Sequence, residues 1–354
     1  MRIWRACCGR LLLLLLLASG TGLAIADESP AGGPVALGIT IPVFATGVPD
    51  DEADFRQLQI FPRIREIESR LLPFELRDTL AESGEWGPVR VAMQPDEAAE
   101  VQLNGTIMRS DGDYLDLRIR VTDATGRIWF DKLFPGVAAD QGESYGAEFR
   151  DLFASIGTEL RAARDLLSQA EQREIQGVSQ MRYAFDLAPR VFGDYLEESS
   201  GGRWSLLRLP ARNDPMLRRI EMIRSTEFLF TDTIDNKFRE LSSELARTYR
   251  VWRDYRRKFV RYNAENVRFA EANRGDAPRG SWEAIKDQYD AWKYDRVTAQ
   301  EQDRLAVAFD TEVTPTVEAM EERVAEPEEW VRQRALEWRY LLNELDVVEE
   351  ELGQ

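Results

Sequence analysis

The sequence has no histidine, and its only two cysteines, Cys7 and Cys8, lie in the first ten residues. Cys/His zinc sites, disulfides, thiol nucleophiles and histidine-based triads are therefore excluded from the rest of the chain. Lysine is nearly as scarce: Lys132, Lys237, Lys258, Lys286 and Lys293 are the five present, and none sits in a catalytic context. There is no phosphate-cradling glycine loop and no Gly-x-Ser-x-Gly elbow. Beyond the leader no apolar run is long enough to span a membrane. Charge of one sign is also short, with 46 basic residues against 63 acidic ones and a net charge of −17. Such a surface is a poor partner for nucleic acid or anionic lipid.

What is present begins with a leader. Arg2, Arg5 and Arg10 precede the apolar run 11–17, and Ala24-Ile25-Ala26 follows as a small-x-small cleavage site. This pattern is that of a secretory signal peptide over residues 1–26, cleaved after Ala26, with a membrane anchor as the rival. Cys7 and Cys8 precede the apolar core, where a lipoprotein cysteine would follow it, so no lipidation is expected. Cleavage makes the net charge −20. The expected compartment is the periplasm of a Gram-negative bacterium, with secretion as the alternative. Residues 27–34 are a Gly/Pro-containing linker.

The most regular stretch is 101–134. Leu115, Leu117, Ile119 and Val121 alternate with Asp116, Arg118, Arg120 and Thr122, the period of a strand with one buried face. Val101 to Met108 alternates too, Asp111-Gly112 between them is a hairpin turn, and a second turn at 123–126 leads into Ile128 to Phe134. The reading is a three-stranded meander. Upstream, Val35 to Phe44 reads as a strand that lies at an edge or ends at Pro42, Pro62 opens a helix kinked at Pro73, and Trp86 to Met93 gives another strand. Downstream, Phe149, Leu152, Phe153, Ile156, Leu160, Ala163 and Leu167 form one face of a helix from Tyr145 to about Ile175. Residues 35–177 thus make a small mixed-sheet α/β domain, followed by a connector at 178–214.

From Asn213-Asp214-Pro215 a helix-start signal opens a pattern running to about Asn273. Phe238, Leu241, Leu245, Tyr249, Trp252, Tyr255, Phe259 and Tyr262 are spaced three or four apart. After a turn at 275–280, Trp282 to about Asp310 can return along that helix. Val331, Ala335, Trp338, Leu342 and Leu345 then repeat as a heptad seam. Residues 215–354 are expected to form an all-α elongated bundle or coiled-coil hairpin, which makes the fold class α+β.

The element order of the first half resembles the α/β domain of the Tol translocation protein and of lipoprotein activators of penicillin-binding proteins. The runs 61–68, 76–80, 84–87, 105–112 and 123–129 look like those of a group of exported Gram-negative envelope proteins without an assigned activity. The resemblance implies an envelope location and a small α/β fold, and brings no site residues.

Among candidate sites, Asp111, Asp113 and Asp116 admit a calcium reading, but the turn explains Asp111-Gly112 and the ligand order of an EF-hand is missing, so no metal and no cofactor is assigned. The match of Asn104-Gly105-Thr106 to a glycosylation sequon falls inside a strand and reads as chance. The most unusual composition lies where Arg250, Arg253, Arg256 and Arg257 interleave with Trp252, Tyr255, Phe259 and Tyr262. Arg250, Arg253, Tyr255, Arg256, Arg257 and Tyr262 are the candidate partner-binding face. The competing reading has the aromatics filling the bundle while the cations pair with acids of a returning helix. No catalytic residue is assigned. The functional expectation is a non-enzymatic envelope protein that binds an envelope partner and has a helical spacer or oligomerisation region. A carboxylate-dependent cell-wall hydrolase, which needs neither histidine nor cysteine, and a secreted structural protein are the alternatives.

Overall fold

A computed structural model describes residues 35–49, 60, 62–139, 149–211 and 213–272, together with scattered residues from 281 to 338. The expected signal peptide with Ala26, the linker 27–34 and most of the heptad seam lie outside the described residues. The chain divides between Pro34 and Val35.

Five strands form one sheet: β1 (Ile39–Pro42), β2 (Val89–Ala92), β3 (Val101–Ser110), β4 (Tyr114–Asp123) and β5 (Ile128–Val137), in the order β2-β1-β3-β4-β5. β1 is parallel to both its neighbours, while β3, β4 and β5 are the antiparallel meander. Of the two placements that Pro42 suggested, the strand does end at the proline but is interior and not at an edge. Pro42 is accommodated because β1 pairs with β3 only at Ile39 and Thr40, so the proline falls where that ladder has stopped. The edges are β2 and β5. Helix α1 (Pro62–Glu82) joins β1 to β2 and runs on through Pro73.

One face of the sheet carries the core. Leu103, Ile107, Leu115, Leu117, Ile119 and Val121 are fully buried and pack against Leu72, Leu76 and Leu80 of α1 and Leu152, Phe153, Ile156 and Leu160 of α2 (Arg150–Asp165). The alternate residues Arg118 and Arg120 are exposed, as the period of two requires. Gly105 keeps that packing close, because a Cβ there would come within 2.5 Å of the Phe44 ring.

The helix expected from Tyr145 to about Ile175 is two helices. α2 stops at Asp165, and α3 (Gln169–Leu187) starts afresh behind a capping box in which the Ser168 hydroxyl accepts from the Glu171 amide and the Glu171 carboxylate accepts from the Ser168 amide. The segment read as connector contains the second half of α3, a short helix α4 (Pro189–Phe192), a 3₁₀ turn and the hairpin β6 (Leu196–Glu198) with β7 (Trp204–Leu206). Val178, Met181, Leu187 and Phe192 join the same core as the sheet, and so do Met216, Leu217, Ile220 and Ile223 of α5 (Pro215–Ala272). Trp338 packs on that core as well. The fold is α+β: a mixed sheet with helices on one face and a 58-residue helix that shares its core.

Candidate interaction site

The arginine-rich stretch of α5 lies on the β3–β4 turn. That turn is built by Asp111, whose carboxylate accepts from the amides of Asp113 and Tyr114 at 3.2 and 3.0 Å, and by Gly112 at φ +97°. Positive φ is one reason for glycine here, and proximity is the other: a Cβ on Gly112 would lie 3.0 Å from the backbone nitrogen of Arg257. The Gly112 carbonyl accepts from the Arg253 guanidinium at 2.9 Å and from that of Arg257 at 3.4 Å. Asp113 forms ion pairs with Arg257 at 3.2 Å and Arg261 at 3.3 Å.

The sequence-derived candidates therefore separate. Arg250 is exposed, Arg257 is half-buried, and Arg253 and Arg256 are buried at 3% and 2% exposure. Arg253 also stacks over Phe149, its guanidinium carbon 4.4 Å from the ring centroid. Burial lowers the Arg256 pKa to about 10, against the opposing charge of Asp111, so the group stays a cation at neutral pH. The side chains of Tyr255 and Tyr262 lie outside the described residues. Asp111 and Asp113 serve the turn and the arginines; among the described residues no group of three or more His, Cys, Asp or Glu is placed to hold a metal.

Deeper in the same seam sits Glu68 of α1, fully buried. Its carboxylate accepts from the hydroxyls of Ser110 and Tyr249, and Arg65 lies 4.0 Å away while donating to the Ile107 carbonyl at 3.1 Å. This network joins α1, the hairpin and α5. Sequence reasoning missed it because Glu68, Ser110 and Tyr249 are far apart along the chain and each is unremarkable alone. The only local trace is that Tyr249, Arg253 and Arg256 fall at helical spacing on one face.

A second polar cluster lies near the start of α5. Tyr183 donates to Glu227 at 2.6 Å, and Arg224 donates to the Ala98 carbonyl at 3.1 Å and the Ser179 hydroxyl at 3.0 Å. Burial raises the pKa of both Glu227 and Glu100, the latter accepting from the Gly38 amide at 2.7 Å. Among the described residues an open depression is lined by Gly193, Asp194, Leu196, Glu197, Leu207 and Arg208. No described helix is long and apolar enough to cross a membrane.

No protein-family model matches the sequence, and no curated protein matches it. Among solved structures the chain is similar to a PelC dodecamer from Paraburkholderia phytofirmans that carries a leucine-to-methionine substitution. The similarity covers 38% of this chain and 93% of that one, at 14% identity and a TM-score of 0.23. Nothing in the described residues or in these comparisons indicates an enzyme.

Proposed function

We propose that the protein is a non-enzymatic component of the bacterial envelope, periplasmic after loss of its leader, in which the α/β body binds an envelope protein and the helical half acts as spacer or oligomerisation element. The observation that carries this reading is the placement of α5. Its first turns lie in the core through Leu217, Ile220 and Ile223, and further along it is held at the β3–β4 turn by Arg253. Between these points Asp232 pairs with Arg90 of β2 and Tyr249 donates to Glu68 of α1, and a helix held at several places along its length is a strut, a part suited to presenting surfaces at a set distance. The buried arginines then belong to the strut's own anchorage. A partner would meet the exposed flank of α5, where Arg250 stands, or the open face of the meander.

Docking by strand addition, which an edge position of β1 would favour, has little support from the sheet. β1 is interior, β2 is four residues long and packs against α5 through the Arg90–Asp232 pair at 2.8 Å. The β5 edge carries Asp131, Lys132, Pro135 and a register shift near Ile128, features that discourage pairing. Side-chain contact on the outer face, where Leu133 and Val137 are exposed, is the favoured mode.

The test is crosslinking in intact cells followed by affinity purification, comparing the unaltered chain with Leu133→Arg and with Arg250→Glu. Recovery of one envelope protein that either substitution abolishes supports the reading. Recovery of nothing, with turnover of cell-wall polymer by the purified chain that Glu227→Gln removes, would establish the hydrolase instead.

A further inference from the structure

Beyond α5 the chain re-enters helix behind Ser281, whose hydroxyl accepts from the Ala284 amide at 3.2 Å and whose carbonyl accepts from the Ile285 amide at 3.1 Å. Residues 282–286, 288–290 and 292–293 are helical. Trp282, Ile285, Tyr289 and Trp292 follow at spacings of three, four and three, which places them on one face, the a and d pattern of a helix-pairing seam. All four point to solvent, at 78%, 52%, 57% and 55% exposure. The rings of Tyr289 and Trp292 lie 6.0 Å apart, and Arg296 stands 5.6 Å over Trp292.

Three exposed aromatics and an isoleucine in one line are a costly surface to leave in water. Their flanks decide what fits. Glu283, Lys286, Asp290 and Lys293 are all exposed, two acids and two bases that alternate along the helix and neutralise each other at three- and four-residue spacing. An anionic polymer or lipid surface would meet Glu283 and Asp290 beside Lys286, Lys293 and Arg296, a net charge of only +1. Two copies of a chain of net charge −20 once its leader is lost repel over most of their surfaces, and this nearly neutral strip is where they can approach with least of that penalty. At 150–250 Å² for an aromatic side chain, the four residues expose on the order of 500 Å² per copy. A pair of copies would bury about 1,000 Å² from these alone, and the stems of Lys286 and Lys293 bring the total to the ~1,200 Å² of the smaller specific interfaces.

We propose that the Trp282–Ile285–Tyr289–Trp292 stripe is a self-association surface, pairing with the same stripe of a second copy of this chain. The inference rests on the reading above and deepens it by naming the oligomerisation surface in the helical half.

Sedimentation of the purified, exported chain between about 1 and 100 µM tests it. The expected result is a concentration-dependent shift from monomer to dimer, with Trp282→Gln combined with Trp292→Gln raising the dissociation constant at least about tenfold. At a concentration where both chains are monomeric the urea midpoint should not move, because both side chains are exposed in the single chain. A monomer throughout the range, or a dimer equally tight in the variant, would overturn the proposal. Should the double variant fold poorly, Gln288→Cys leaves the stripe intact and introduces a thiol where residues 27–354 have none. A bismaleimide should then join two copies, and failure to do so overturns the pairing. A monomeric chain that still captures an envelope protein would sink this inference alone and leave the broader reading standing.

Discussion

Glu68 shows how a single carboxylate can hold three elements. It is completely buried, and its carboxyl group is satisfied there because the hydroxyls of Ser110 and Tyr249 donate to it and Arg65 lies close by. Tyr249→Phe should therefore cost about 1–3 kcal/mol, the penalty for leaving a buried acceptor without its donor, measured as a lower urea midpoint. Arg250→Ala, one residue on but exposed, should change stability by less than about 0.5 kcal/mol. Glu75 gives a pH signature of the opposite origin. Burial, then the charge of Asp78, raises its pKa from 4.5 to about 7, with Arg77 opposing and Glu82 assisting. A folded-state value above the unfolded one means the native protein takes up the proton, so this contribution is full below pH 4.5 and is lost as pH rises through about 7. Glu75→Gln should remove that slope, and its melting temperature should gain on the unaltered chain as pH is raised from about 5 to 8. An equal gap at every pH would show that Glu75 does not titrate in this range.

At the scale of elements, the division between α2 and α3 rests on a local signal. Ser168 and Glu171 have capping-box spacing in the sequence, but the apolar repeat runs through Leu160, Ala163 and Leu167 and masks the break. Ser168→Ala should cost about 1 kcal/mol and speed amide exchange in the first turn of α3, leaving α2 unchanged. Equal exchange in both helices would mean the cap is not what starts α3. The meander is the reverse case, since strict alternation and the Asp111-Gly112 and Gly126 turns made its strands, faces and connections readable. The position of β1 was not readable. Its order in the sheet follows from α1 carrying the chain to β2 on one side while β3 takes the other, a choice between two neighbours that no local pattern expresses.

For the whole molecule, the shared core determines what can be separated. A chain ending at Gly177 divides α3 and removes Val178, Met181, Leu187, Phe192, Leu217 and Ile220 from the interior. At about 1.5–3 kcal/mol for each large side chain, the loss reaches the 5–15 kcal/mol on which a domain of this kind stands. Such a truncation should be insoluble or lack fixed near-ultraviolet dichroism. A truncated chain with a cooperative thermal transition would instead show that residues 35–177 fold alone.

The sequence by itself determined the α+β class, the meander with its buried and open faces, and the chemistry that the lack of histidine and cysteine rules out. These depend on composition and on periods of two and 3.6, which are local. Only the tertiary structure decided that β1 is interior, that Val178, Met181, Leu187 and Phe192 of the segment read as connector belong to the core, and that Arg253 and Arg256 turn inward. Arginine is read as a surface residue until a partner is found for its charge. The partners of Arg253, Gly112 and the ring of Phe149, lie more than a hundred residues away in sequence and meet α5 only in the folded chain.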